Sequence, residues 1–221
     1  MNRRGVVIEF DFAAMSGAEL LFDTARKFLQ ELDGIAIDAP LEARYLAGRT
    51  YQDGLARLFA IVKTKKTAQK AARDLASAFA SAVTAAAPSA VGVQFKNFVK
   101  ALADAGLAVA IATRADLDTV RPAFEPVLGE RVILYHEESD GYGFATWEGW
   151  RRACMAMEMK HALVRAVPGS GFGVKAALVA GMRSVAVVND RVAYQDFGGA
   201  GEVLGELSGK TAKRFLAAIG M

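Results

Sequence analysis

Asp11 is the first residue in this chain whose type and position together suggest chemistry. It follows Val6-Val7-Ile8-Glu9-Phe10, a largely apolar run of strand length, so its carboxylate is expected at the mouth of a crevice beyond a buried strand. A carboxylate so placed can act as a nucleophile or as a cation ligand. An acid just past a strand also serves as a turn or helix-capping group. A second pair, Thr113-Arg114, follows the apolar run 107–112 and offers a hydroxyl, a backbone N–H and a guanidinium. Those groups suit a phosphate or a carboxylate. The plain alternative is a threonine that opens a turn beside a solvated arginine.

The segment Val167-Pro168-Gly169-Ser170-Gly171-Phe172-Gly173 joins a strand candidate to a helical one. One functional reading is an anion-binding turn at a helix N-terminus, with Ser170 adding its hydroxyl. Another is a dinucleotide fingerprint, with Asp190 at the end of the next strand as the ribose-binding acid. That fingerprint is incomplete, because Val174 stands where its third glycine belongs and the turn follows the fourth strand rather than the first. A tight turn with close helix–strand contact explains the glycines equally well. Lys175 lies between Val174 and Ala176, so no Walker motif is present.

His136, Glu137, Glu138 and Asp140 fall close together, but no second His or Cys stands at a ligand spacing, and His161 reads as a boundary residue. Lys63, Lys65, Lys66 and Lys70 make a solvated face. Trp147 and Trp150 make a packing pair.

The elements that must hold these groups follow from hydrophobic patterning. Near-continuous apolar runs at 5–10, 107–112, 131–135, 162–167 and 183–188 have strand length, as parallel strands covered on both faces do. Helical patterns at 91–105, 116–128, 146–160 and 172–180 each precede one of the last four strands and link them. From about 18 to 87 the pattern is helical throughout, with an alanine-rich helix over 67–86. The expected fold is α/β, a Rossmann-like parallel sheet over 1–16 and 89–221, with an inserted helical cap over 17–88 lying above the crevice.

With 53% apolar and 23% charged residues in 221, the chain can bury a sizeable core, which excludes disorder. A net charge of +3 falls short of a nucleic-acid footprint. The apolar run before Asp11 is too short for a signal peptide or a membrane span. Cys154 is the single cysteine and fits a reducing cytoplasm. Neither a nucleic-acid nor a membrane partner is expected.

Several stretches resemble the haloacid dehalogenase-like superfamily, in particular its phosphoglycolate phosphatase and β-phosphoglucomutase-like branch, over essentially the whole chain. VIEFDF at 7–12 is similar to the family's first motif, a strand followed by D-x-D-G-T. Gly48-Arg49-Thr50 resembles the G-R-[ST] segment of many caps. Ala110-Ile111-Ala112-Thr113 looks like the second motif, whose Thr or Ser holds the phosphoryl group. SGFGVKAALVAGM at 170–182 resembles the stretch that follows the fourth motif. The resemblance implies magnesium-assisted hydrolysis of a small phosphorylated, anionic metabolite, with Asp11 as nucleophile and metal ligand and with Thr113, Arg114 and Ser170 around the anion.

The same comparison exposes departures. The second acid is replaced by Ala13, and the acidic doublet of the fourth motif by Pro168 and Gly169. No Lys or Arg stands near Gly143-Phe144-Ala145, where the third-motif lysine belongs, although Arg151, Arg152 and Lys160 follow. A register shifted by two makes Glu9 and Asp11 the acidic pair, but it sets a glutamate in the nucleophile's place and is ranked second. Loss of the charge stabilisation and of the acid/base leads to an expectation of phosphomonoester hydrolysis weakened or lost. The alternatives are a non-catalytic ligand- or partner-binding relative, a magnesium-independent 2-haloacid dehalogenase, and a nucleotide binder using 169–173 and Asp190.

Overall fold

The computed structural model describes residues 4–137 and 143–221. Glu138 and Asp140 lie outside the described residues. Six parallel strands form one sheet in the order β3-β2-β1-β4-β5-β6. They are β1 (Gly5–Glu9), β2 (Ala108–Thr113), β3 (Val132–His136), β4 (Val164–Val167), β5 (Arg183–Val187) and β6 (Glu202–Leu204). The chain runs outward one way from β1 through β2 to β3, then crosses to β4 on the other side. The switch point is therefore between β1 and β4, where open α/β sheets hold their ligands beyond the strand tips.

All five residues of β1 are buried. Their side chains alternate between two apolar layers, as the two-residue period of a strand requires. Val6 and Ile8 join a layer that includes α6 (Val93–Asp104), α7 (Leu117–Phe124) and α10 (Gly209–Ala218). Val7 joins the other, with Trp150, Ala153 and Cys154 of α8 (Trp147–Ala156) and Ala176 and Ala177 of α9 (Gly171–Val179).

The helices inserted after β1 are the single turn α1 (Phe10–Ala13), α2 (Gly17–Asp33), α3 (Ala39–Tyr45), α4 (Tyr51–Val62) and α5 (Ala68–Ala90). The last four form the helical cap. α5 is long because alanine costs little to hold in a helix. Ala72, Leu75, Ala76, Phe79 and Val83 recur on one buried face of it, against α2 and α4.

Three elements differ from the sequence pattern. β4 starts at Val164 because His161–Leu163 forms a tight helical turn first. β6 has only three residues, too few for a periodic signal. α10 is closed at its start by a reciprocal bond pair between Ser208 and Thr211, a capping signature carried by the sequence. Among the described residues no single helix is long and apolar enough to cross a membrane.

Candidate active site

β1 ends at Glu9 and the chain turns at once into α1, which carries Asp11 and Phe12. Gly17 locks this turn in place: a Cβ there would lie 1.9 Å from the Asp11 carbonyl oxygen, so only glycine lets α2 approach so closely. Asp11 stands at the tips of β1 and β2, as its sequence position suggested, yet it is only 1% exposed. Both of its carboxylate oxygens are taken. Thr113 Oγ1 donates to Oδ1 at 2.6 Å, and Oδ2 accepts from the Arg114 backbone N–H at 3.0 Å and from its Nη1 at 3.3 Å. The hydroxyl, amide and guanidinium expected to hold an external anion thus hold the carboxylate of Asp11.

Arg114 is the hub. Its Nη2 lies 3.4 Å from Oε1 and 3.3 Å from Oε2 of Glu137, which follows β3. The cap covers it: the guanidinium carbon lies 5.8 Å from the ring centre of Phe79 on α5 and 5.7 Å from that of Phe12. Buried Tyr51 of α4 meets Phe79 edge to face at 6.4 Å. Burial raises the phenol of Tyr51 above its usual range.

Glu9 completes the cluster from the β4 side. Its Oε2 accepts the Gly169 N–H at 2.9 Å. Burial pushes its carboxyl up to about 8, against the pull of Arg114 and the Gly169 N–H, with Glu137 and Asp11 adding to the rise. Glu137 is pushed up to about 7 by burial, opposed by Arg114; Asp11 raises it further, while Arg152 and the Phe144 N–H lower it. Burial raises Asp11 as well, against Arg114 and Thr113. Arg114 thus serves all three carboxyls, with Arg152 acting on Glu137 as well, and burial shifts each carboxyl toward its protonated form.

The glycine-rich turn is similarly self-satisfied. The Gly169 N–H goes to Glu9, the Gly171 N–H to Gln195 Oε1 at 2.8 Å, and the Gly173 N–H to Ser170 Oγ at 3.0 Å. Ser170 acts as the N-cap of α9, and the cap presses on it: a Cβ at Gly48, whose φ is +70°, would lie 2.9 Å from Ser170 Oγ. Asp190 is not brought to this turn. It lines a separate cleft of 570 Å³ with Phe12, Met15 and Val187. Surface clefts of 570, 370, 360 and 430 Å³ are all lined without Glu9, Asp11, Thr113, Arg114 or Ser170.

No family model and no curated protein sequence matches the chain. Solved structures do. CbbY from Rhodobacter sphaeroides, in complex with phosphate, is similar with a TM-score of 0.67 and 17% identity over 95% of this chain and 96% of its own. β-Phosphoglucomutase from Clostridium difficile gives 0.69 at 12% identity, over 97% and 99%. A HAD hydrolase of family IA, variant 3, from Entamoeba histolytica gives 0.69 at 14% identity, over 99% and 100%. The chain has the haloacid dehalogenase-like fold. Identities this low speak to architecture and leave the chemistry to the residues.

Those residues do not fit the magnesium that the haloacid dehalogenase-like fold implies. A divalent cation needs several oxygen ligands. Here the oxygens of Asp11 are occupied, burial holds Glu9 toward its protonated form, and Pro168 and Gly169 bring no carboxylate. A guanidinium already stands among the acids. Gly169 could not carry the missing acid without a rearrangement, because a Cβ there would lie 2.3 Å from the Phe12 carbonyl carbon. Ala13, at the other altered motif position, is buried in α1.

The sequence pattern points to Asp11, Thr113 and Arg114, ranks Glu9 behind Asp11 and presents Glu137 only as a metal candidate. A lone carboxylate inside the buried run VVIEF was the available signal for Glu9. Nothing local announced Phe79 or Tyr51, which reach Arg114 only through the fold of the cap.

Proposed function

We propose that this chain is a haloacid dehalogenase-like hydrolase relative whose phosphomonoester chemistry is lost, and that it works as a binding protein. The observation that carries this reading is the burial and bonding of Asp11: at 1% exposure, its Oδ1 is held by the Thr113 hydroxyl and its Oδ2 by the Arg114 amide and guanidinium. A nucleophile must reach its substrate, and here a hydroxyl holds one oxygen, a buried ion pair holds the other, and the side chain is closed off from solvent. The shifted register supports the same conclusion. In that register Glu9, which ends β1 and bonds the fourth-motif turn, would stand in the nucleophile's place with Asp11 as the second acid. A glutamyl group whose carboxyl is pushed up to about 8 is a poor nucleophile at neutral pH. The magnesium-independent 2-haloacid dehalogenase meets the same obstacle at Asp11. Cys154, buried and unpaired, suits a reducing cytoplasm, where we place the protein.

The test is a panel of phosphomonoesters and 2-haloacids, with and without magnesium, reading released phosphate and halide. The expected result is no release by the native chain beyond that of Asp11→Asn or Glu9→Gln. Magnesium-dependent release that disappears in either variant would overturn the proposal.

A further inference from the structure

The outer seam between cap and core carries a groove that the crevice does not use. Its middle is a 370 Å³ cleft lined by Arg44 and Arg49 of the cap and by Phe172, Lys175 and Tyr194 of the core. A 360 Å³ cleft adjoins it, sharing Arg44 and Arg49 and adding Arg57. A 430 Å³ cleft continues the other way past Phe172 and Lys175 to Trp147, which is 40% exposed. Two shared pairs of residues thus join three clefts end to end.

The groove is positive on balance: Arg44, Arg49, Arg57 and Lys175 line it against two carboxylates, Asp196 and Glu148, both toward its core end. Among the described residues, Arg44, Arg49 and Arg57 form no ion pair, while Lys175 meets Asp196 at 3.2 Å. Arg49 is held in place, its Nε donating to the Arg44 carbonyl at 3.0 Å and its guanidinium stacked 4.4 Å over the Phe172 ring. That geometry fixes a fork of donors at the seam with no internal acceptor for its free edge. Tyr194, 56% exposed, stands beside it with its hydroxyl anchored on the Ala43 carbonyl, so the ring is an oriented flat surface. Gln195 ties the same junction by donating to the Ala47 carbonyl at 3.0 Å.

We infer that this groove binds an organic polyphosphate, its phosphates along Arg57, Arg44 and Lys175 and its flat ring against Tyr194. The inference deepens the binding reading above by naming the site and the ligand chemistry. Three guanidiniums in a row call for more than one anionic group, and a cleft of a few hundred Å³ matches a small molecule. Such a ligand bridges cap and core and stabilises their closed arrangement by mass action.

Calorimetric titration of the full chain with tripolyphosphate, ATP and adenosine, at about 20 and about 200 mM NaCl, tests this. Tripolyphosphate and ATP are expected to bind at low salt and adenosine not to, with ATP the tighter and its advantage lost in Tyr194→Ala. Arg44→Ala combined with Arg57→Ala should weaken both by about tenfold or more with an unchanged circular dichroism spectrum. No binding at low salt, binding indifferent to the double substitution, or a single-stranded oligonucleotide that outcompetes ATP would each overturn the inference. Turnover is read separately as released phosphate. A failure of the non-catalytic reading shows there, and a failure of the groove shows in the titration.

Discussion

Arg114 and Arg57 carry the same group in opposite surroundings. Around Arg114 stand Asp11, Glu137 and, close by, Glu9, with two aromatic rings over the guanidinium; the residue is 8% exposed. Among the described residues, Arg57 and its neighbours Arg44 and Arg49 pair with no carboxylate, and Arg57 is exposed. The first region satisfies its charges internally, so a ligand entering it would have to break bonds already made. The second leaves its charges to water, which an anion displaces at little cost. A fold that places its ligands at the strand tips here offers free positive charge at the outer seam of the cap instead.

The contrast is broken most severely by removing the hub. Arg114→Ala strands Asp11 in a buried site without its cation and leaves Glu137 with Arg152 alone, a change that costs about 3–5 kcal/mol when a buried pair loses one partner. Urea unfolding measures it, and a loss under about 1 kcal/mol would mean that the network does not hold the crevice together. A magnesium-dependent rise in Tm is expected in this variant and not in the native chain, because the vacated position leaves three carboxyls facing one another.

Next comes pH. The folded pKa of Glu9 is about 8, above its ordinary 4.5, so the native state keeps a proton that the unfolded chain gives up between those values. Stability from this group is complete below about 4.5 and is lost as pH rises through 8; Glu137, at about 7, acts in the same direction. Tm should therefore fall from pH 5 to pH 9, by an amount corresponding to a few kcal/mol. Glu9→Gln keeps an acceptor for the Gly169 N–H but cannot ionise, so it should flatten the curve. A native profile that is level or rises across this range would contradict the assignment of Glu9 as a buried neutral acid.

What the sequence made legible, and what it hid, follows the same division. Asp11, Thr113 and Arg114 could be placed because each follows an apolar run of strand length, and adjacent parallel strands bring such tips together. That they would bond one another rather than a ligand depended on the depth of α1, set by the contacts of Gly17 and Gly169 with its backbone. Helix periodicity located the cap but gave no register for Phe79 or Tyr51 over Arg114. The groove was least visible of all, since Arg44, Arg49, Arg57 and Lys175 come from three helices and a loop, and only tertiary packing lines them up.

Restoring the lost acid of the fourth motif sharpens the point at intermediate cost. Gly169→Asp forces a side chain into space held by the Phe12 backbone, with close approaches of 2.3 to 2.5 Å. Overpacking of this kind costs about 1–3 kcal/mol, because the backbone of α1 rather than a flexible side chain must give way. Thermal unfolding should show a destabilised protein with no gain of phosphatase activity. A variant as stable as the native chain would mean that α1 moves freely, and the sealed crevice would then be one state among others.

The smallest effect is expected at Arg57, and its smallness matters. Arg57→Ala removes an exposed cation with no ion pair among the described residues, so stability should change by no more than about 0.5 kcal/mol. Removing one of several like charges from the groove should even relieve some repulsion with Arg44 and Arg49, which tips the expected sign toward stabilisation at low salt. The same substitution should still weaken polyphosphate binding, so stability and affinity move independently. At Arg114 the two cannot be separated, because the groups that bind the guanidinium are also what holds the crevice closed. If Arg57→Ala destabilised the chain as Arg114→Ala does, the groove would be a structural element and the distinction between satisfied and available charge would fail.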